Sequence, residues 1–174
     1  MKKVLTIVLA ATMLLVFALP VSANPDAAVD LIADGPDSGY TLIVGEVAVT
    51  HTASTITVTY TIDEGDWELV ETHVDIQTTA GAIPQNGNAN PKVGKFAQSG
   101  EWDPLAGDQK TATYTFANPG GTVVIAAHAE VYSATIADPD TLEPPREESA
   151  WANGSQFNVG KNWAMYFTYD ATVA

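Results

Sequence analysis

Two stretches of the sequence carry ionisable side chains at alternating positions, the spacing with which a β-strand presents side chains on one face. Glu71, His73 and Asp75 alternate in the first stretch, and His128 and Glu130 alternate in the second. If the two strands are neighbours and these faces coincide, imidazoles and carboxylates could converge. Two histidines and a carboxylate are a competent ligand set for zinc. The alternative is that they are solvent-facing side chains or histidines bonded to loop backbone.

A second acidic group lies between the two last predicted strands, in the segment 133–161. Its members are Asp138, Asp140, Glu143, Glu147 and Glu148. Oxygen ligands on a flexible loop suit calcium, so calcium and zinc are the two cofactors that the sequence suggests. The spacing of these acids matches no recognised calcium-binding loop, and plain solvated carboxylates are the alternative.

The third group is aromatic, and it suggests sugar binding. Exposed tryptophan rings on a secreted β-domain can form a platform for sugar rings, whereas buried ones supply packing area. The candidate ligand-binding residues are Trp102 and Trp151, together with Glu148. Trp163 begins an apolar alternating stripe and is predicted to belong to the core.

Motifs of known catalytic machinery are missing from the sequence. It contains no Gly-x-Ser-x-Gly, no His-Glu-x-x-His and no cysteine that could act as a nucleophile. The sequence therefore favours a protein without catalytic activity and assigns no catalytic residue. A small secreted metal-dependent hydrolase is the least favoured interpretation.

The amino terminus has the pattern of a secretory signal peptide. Lys2 and Lys3 precede an apolar run at 4–19, Pro20 ends that run, and 21–23 are small residues suited to cleavage. The apolar run is short for a membrane span. We expect the mature protein, 24–174, to be secreted or, in a host with an outer membrane, periplasmic, with no membrane attachment after cleavage.

The charge of the mature chain limits its partners. Without the two lysines of the signal peptide, five basic residues face 21 acidic ones, which gives a formal net charge of −16. A chain this acidic repels nucleic acid and anionic lipid surfaces. Because cysteine is absent, no disulfide can stabilise the fold and the hydrophobic core must do so alone.

Alternating apolar and polar residues, separated by turn-forming residues, recur along the mature chain. They predict strands at 40–50, 55–62, 67–77, 110–117, 122–132 and 162–173, with long irregular segments at 78–108 and 133–161. We expect an all-β protein, an antiparallel β-sandwich (Ig-like or jelly-roll-like) of about seven to nine strands. A barrel would give similar signals. The predicted organisation is a signal-peptide helix at 1–23, a flexible leader at 24–39 and a single β-domain at 40–174.

Several short segments, in their order, resemble an uncharacterised β-sandwich module that recurs in bacterial and archaeal secreted and cell-surface proteins. They include Gly45-Glu46-Val47, 67–74, Ile83-Pro84, 94–96, 125–129, 148–151 and 162–167. The resemblance implies a stand-alone or appended extracellular β-domain without an established activity. It draws attention to His73, His128, Glu148 and Trp151, which lie in the matching segments.

The sequence as a whole predicts a secreted, non-catalytic structural or interaction domain of the adhesin or matrix type. The alternative is a polysaccharide- or metal-binding module that uses His73 and His128 or exposed tryptophans. The expected partners are an extracellular polysaccharide, a protein, or a second copy of the chain paired through edge strands.

Overall fold

The computed structural model describes residues 27–35, 42–106, 108–138 and 140–173, so the predicted signal-peptide helix lies outside the described residues. The fold is all-β and antiparallel, as predicted. The described ranges contain ten strands, which are β1 (Ala27–Ala33), β2 (Leu42–His51), β3 (Thr55–Ile62), β4 (Glu68–Gln77), β5 (Gln98–Glu101), β6 (Thr111–Ala117), β7 (Thr122–Ser133), β8 (Arg146–Ala152), β9 (Ser155–Gln156) and β10 (Met165–Asp170).

The strands form one continuous sheet that curls until it is nearly a barrel. Eight of them follow the order β5-β4-β7-β8-β1-β2-β3-β6, while β10 pairs with β7 and β9. The two separate layers of a sandwich are therefore not confirmed. Strands β8 and β1 pair with each other and join what would otherwise be two sheets.

Side-chain hydrogen bonds connect the two end regions of this sheet, near β5 and β6. The Gln98 amide on β5 donates a hydrogen bond of 2.7 Å to the Thr115 carbonyl on β6. The hydroxyls of Thr72 on β4 and Tyr114 on β6 lie 2.5 Å apart. Inside the curl, the Tyr60 hydroxyl donates to the His73 carbonyl at 3.0 Å, and burial raises the pKa of this phenol well above its usual value.

Strand β1 lies inside the segment 24–39, which the sequence predicts to be a flexible leader. It pairs with β2 along seven residues and with β8 along three. Alanine and aspartate have low strand propensity, so β1 gives a weak sequence signal, and its two neighbours supply the pairing that holds it extended. Similarly, β8 crosses the middle of the predicted irregular segment 133–161.

Apolar side chains form a core on each face of the sheet. The inner cluster takes residues from β1, β2, β3, β4, β6, β7, β8 and β10. The outer cluster lies over β7 and β8 and is covered by the segments 80–96 and 157–166, which bring Ile83 and Phe96 onto Val124 and Trp151. The two helices described there, Ala80–Ala82 and Val93–Lys95, are single 3₁₀ turns, and no described helix has the length and apolarity needed to cross a bilayer.

Strand β7 is where the sheet divides. Along one edge β7 pairs with β4. Along its other edge Ile125 pairs with Phe167 of β10, whereas His128 pairs with Trp151 of β8. The neighbour of β7 therefore changes between residues 125 and 128, and the segment leading into β10 crosses the outer face at this fork.

At Gly45, strand β2 approaches the backbone of β3 too closely for a larger side chain. A Cβ atom at this position would lie 2.0 Å from the Thr61 carbonyl oxygen, a backbone atom that cannot rotate away. We predict that Gly45→Ala lowers the free energy of unfolding by about 2 to 4 kcal/mol, measured by chemical denaturation.

Gly81→Ala is the matched control, because a Cβ there would meet no atom within 4 Å. We expect it to change the free energy of unfolding by less than about 0.5 kcal/mol. Equal effects of the two substitutions would show that β2 does not approach β3 as described.

Candidate functional site

The alternating polar residues of β4 and β7 share one face of the sheet, and they are direct neighbours. His73 is paired with His128, and Glu71 is paired with Glu130. The two imidazole centroids lie 6.0 Å apart with their planes inclined by 34°. Both histidines are on the outer face, because the partner of His128 on β8, Trp151, belongs to the outer cluster.

Each imidazole is held by a carboxylate of its own strand and not by a shared centre. Nε2 of His73 lies 2.7 Å from Oε1 of Glu71, and Nε2 of His128 lies 3.2 Å from Oε1 of Glu130. Across the described ranges, no group of three or more His, Cys, Asp or Glu residues is arranged to hold a metal ion. The geometry therefore offers no preassembled set of zinc or calcium ligands there.

Asp75, the remaining predicted metal ligand, has a structural contact. Its carboxylate accepts hydrogen bonds from the Ala97 backbone N–H at 2.9 Å and from the Gln77 amide at 2.7 Å. These bonds fix the start of β5 against β4. In the acidic segment, Asp138 likewise accepts from the backbone N–H groups of Asp140 and Thr141, which is the geometry of a turn.

The predicted ligand-binding residues do not form one site. Trp102 is half-buried, packs on the inner cluster and borders a depression with Asp103 and Gln109. Trp151 is only 5% exposed and is packed between Phe96, Phe157 and His128. It borders a different depression, on the outer face.

Glu148 lies on the other face of β8 from Trp151. Its carboxylate accepts a hydrogen bond of 2.7 Å from Nε of Arg146, and the same guanidinium reaches Asp34 at 3.0 Å. Arg146 also stands over the ring of Trp67, 5.7 Å from its centroid. Glu148 thus belongs to an ion-pair network that joins β8 to the end of β1.

The depression beside Trp151 lies at the fork of the sheet and has a volume of about 340 Å³. Its floor comes from β7 and β8, and its walls come from the segments 91–93 and 162–164. This volume is at the lower end of the range for small-molecule sites. The lining residues are Pro91, Val93, His128, Glu130, Ser149, Trp151, Asn162, Trp163 and Ala164.

Two buried polar atoms without a hydrogen-bond partner belong to residues that line this depression. They are Nδ1 of His128 and Oδ1 of Asn162, and no other described residue has an unpartnered buried side-chain nitrogen or oxygen atom. His128 is only 4% exposed. A buried polar atom left unpaired costs about 1 to 3 kcal/mol, so the two residues that carry these atoms are candidates for contact with a ligand in the depression that both of them line.

The bonds of His128 determine what its free nitrogen can do. Nε2 lies 2.8 Å from the Ser149 hydroxyl, which in turn donates to Oε1 of Glu130 at 3.2 Å. In the neutral imidazole, Nε2 then carries the proton and Nδ1 is an acceptor. Both unpaired atoms, Nδ1 of His128 and Oδ1 of Asn162, are therefore acceptors, and the groups that suit them are hydrogen-bond donors.

Ser149, His128 and Glu130 contain the residue types of a catalytic triad but not its connectivity. In a triad the serine bonds one imidazole nitrogen and the carboxylate bonds the other. Here the serine and the carboxylate both face Nε2, and Nδ1 has neither. The carboxylate cannot orient the ring for proton abstraction from Ser149, so this arrangement favours binding over nucleophilic catalysis.

This network shifts the pKa of Glu130. Partial burial alone would raise the pKa of its carboxyl group, but hydrogen bonds from His128 and Ser149 and the nearby imidazoles outweigh burial and lower it. The ionised form of Glu130 is therefore favoured in the folded protein.

The chain matches no protein-family model, no curated protein and no solved structure.

Six of the nine lining residues are not among the predicted site residues, and three of these six could contact a ligand through polar or aromatic groups. Ser149 and Asn162 carry no motif, and the apolar stripe that Trp163 begins predicts a core position for it. In the structure Trp163 precedes β10, is half-buried and packs beside the outer cluster. The sequence carries no signal that identifies Trp163 as a lining residue.

The lowered pKa of Glu130 predicts a pH-dependent contribution to stability. The ionised carboxylate stabilises the fold above about pH 4.5, the ordinary value for the group, and this contribution is lost as the pH falls through the lower folded-state pKa. We expect the wild-type protein to exceed Glu130→Gln in free energy of unfolding at pH 6 and the difference to shrink towards pH 3. Glu64→Gln, at an exposed turn, is the control, and a difference that is constant with pH would contradict the assignment.

The unpaired oxygen of Asn162 predicts an unusual response to truncation. Because Oδ1 makes no hydrogen bond in the fold, we expect Asn162→Ala to leave the free energy of unfolding unchanged or to raise it by up to about 1 kcal/mol. Asn118→Ala is the matched control and should cost about 1 to 2 kcal/mol, because Asn118 bonds Thr52, Gly120 and Ala171. Equal losses in denaturant unfolding would show that Asn162 is a structural residue.

Proposed function

We propose that this protein is a non-catalytic extracellular interaction domain that binds carbohydrate in the depression at the fork of the sheet. The observation that carries the proposal is the pairing of two unpartnered acceptors, on His128 and Asn162, with the half-buried ring of Trp163. The export signal at 1–23 supports action outside the cytoplasmic membrane, where polysaccharides are the expected partners.

The hydrogen-bonding character of the site favours sugar hydroxyls. One sugar hydroxyl can donate to Nδ1 of His128 and a second one to Oδ1 of Asn162, while the oxygen of each still accepts from elsewhere. An anionic ligand would meet the Glu130 carboxylate, whose ionisation the network favours. A neutral, donor-rich ligand therefore fits better than a phosphate or a carboxylic acid.

The aromatic residues supply the apolar half of the site. Sugar rings have C–H faces that pack on aromatic rings, and tryptophan offers the largest such surface. Trp163 borders the depression and retains exposed surface, whereas Trp151 is nearly buried and supports the floor. In this proposal Trp163 is the stacking residue and Trp151 positions His128, to which it packs with ring centroids 4.8 Å apart.

Self-association through edge strands gains less support from the geometry. The two strands at the ends of the sheet order, β5 and β6, face each other, and Gln98 already bonds the Thr115 carbonyl of the β6 edge. This bond occupies one carbonyl group that a second copy of the chain would otherwise use for strand pairing.

Titration calorimetry of the mature protein tests the proposal. The probes are glucose, galactose, mannose, N-acetylglucosamine and their β1,4-linked and α1,4-linked oligomers, with choline as a cationic comparison. We expect at least one saccharide to bind with a dissociation constant of about 1 mM or lower, equivalent to about −4 kcal/mol. Binding of choline in place of every saccharide would contradict the carbohydrate assignment.

Two substitutions locate the binding. We expect Trp163→Ala and Asn162→Ala each to weaken the saccharide at least about tenfold, or about 1.4 kcal/mol, with Asn162→Ala retaining full stability. Trp102→Ala, at the separate depression, should leave the affinity unchanged. The reverse order of effects, with Trp102 required and Asn162 dispensable, would place the sugar elsewhere.

A further inference from the structure

A second depression lies directly beside the first, between the same two segments of chain. It has a volume of about 490 Å³ and is lined by Asn88, Asn90, Asn158 and Lys161. Asn90 immediately precedes Pro91, and Lys161 immediately precedes Asn162, and both of those following residues line the first depression. The linings of the two depressions therefore adjoin along both segments, and we call the two depressions together the groove.

Hydrogen bonds join the two walls of the groove. The Asn158 amide donates to the Asn88 carbonyl at 2.7 Å and to Oδ1 of Asn90 at 3.2 Å. The Asn158 carbonyl also accepts from the backbone N–H groups of Lys161 and Asn162, which turns the chain from the second depression into the first. Asn158 thus fixes the spacing of the two depressions.

The two depressions differ in chemistry. The first presents acceptors and tryptophan, whereas the second has no aromatic lining residue and presents amides and the Lys161 ammonium. Ammonium and amide N–H groups donate hydrogen bonds to ring, hydroxyl and glycosidic oxygens. A ligand that fills both depressions must offer an apolar ring face and hydroxyl donors to the first depression. It must offer oxygen acceptors to the second.

We propose that the groove binds a linear oligosaccharide of at least two units, with one sugar ring on Trp163 and the next in the amide-lined depression. This inference rests on the proposed carbohydrate function and adds the length of the ligand and its direction along the walls. Linking two subsites through one ligand raises affinity because the second contact is made within the same complex.

The test compares a monosaccharide with its linear di- and trisaccharide by titration calorimetry on the full mature chain. We expect the disaccharide to bind about tenfold more tightly than the monosaccharide. Lys161→Ala should weaken the binding of the disaccharide at least about threefold without changing the affinity for the monosaccharide. Lys95→Ala, which removes the same charge from an exposed position outside both depressions, should change neither affinity.

Equal affinities for the monosaccharide and its oligomers, or equal behaviour of Lys161→Ala and Lys95→Ala, would overturn the two-subsite groove while leaving carbohydrate binding at Trp163 intact. A protein that binds none of the saccharides would overturn both proposals. A loss of monosaccharide affinity in Lys161→Ala would also overturn the groove, because it would place Lys161 in the first site.

Discussion

Strand β7 has to be covered on both faces, and most of the architecture follows from this constraint. Its residues Val123–Ala129 are buried without interruption, which neither face of a solvent-exposed sheet would allow. The curled sheet covers the inner face. On the outer face the segments 80–96 and 157–166 pack over β7 and β8 and complete the second apolar cluster. A strand that is buried on both sides reads as a continuous apolar run, as this one does.

The candidate site arises from the same constraint. Strand β7 exchanges β10 for β8 as its neighbour, and the covering segments meet over this fork. The covering segments bury Trp151 almost completely, but they leave open the depression that His128, Asn162 and Trp163 line. A fold selected for stability alone would pair or remove two buried acceptors at one place. Their retention next to an aromatic ring is the physical reason for assigning a binding role to this position.

Where alternation is clear, the sequence predicts the fold well. Strands β3, β4, β6 and β7 fall within one residue of their predicted bounds, because threonines alternate with large apolar residues in them or polar residues mark one face. The short strands β5 and β9 lie in the predicted irregular segments. Strands β1 and β8 were also missed, since their extended conformation comes from the neighbours with which they pair. Their omission also explains the sandwich prediction: without these two connecting strands, the remaining ones would fall into two separate sheets.

For the site, period-two spacing predicted that His73 and His128 could lie together, and the register of β4 with β7 places them opposite each other. It could not predict that each imidazole is held by its own glutamate, because that depends on rotamers. Asn162 and Trp163 were beyond sequence reasoning, since their position depends on how a segment of more than ten residues crosses the sheet.

A crystal structure of the protein with the tightest-binding saccharide tests the central claim most directly. The account predicts sugar hydroxyls at hydrogen-bond distance, about 3 Å, one from Nδ1 of His128 and another from Oδ1 of Asn162, with the ring face against Trp163. A saccharide bound elsewhere, with these two atoms making no contact to it, would contradict the account.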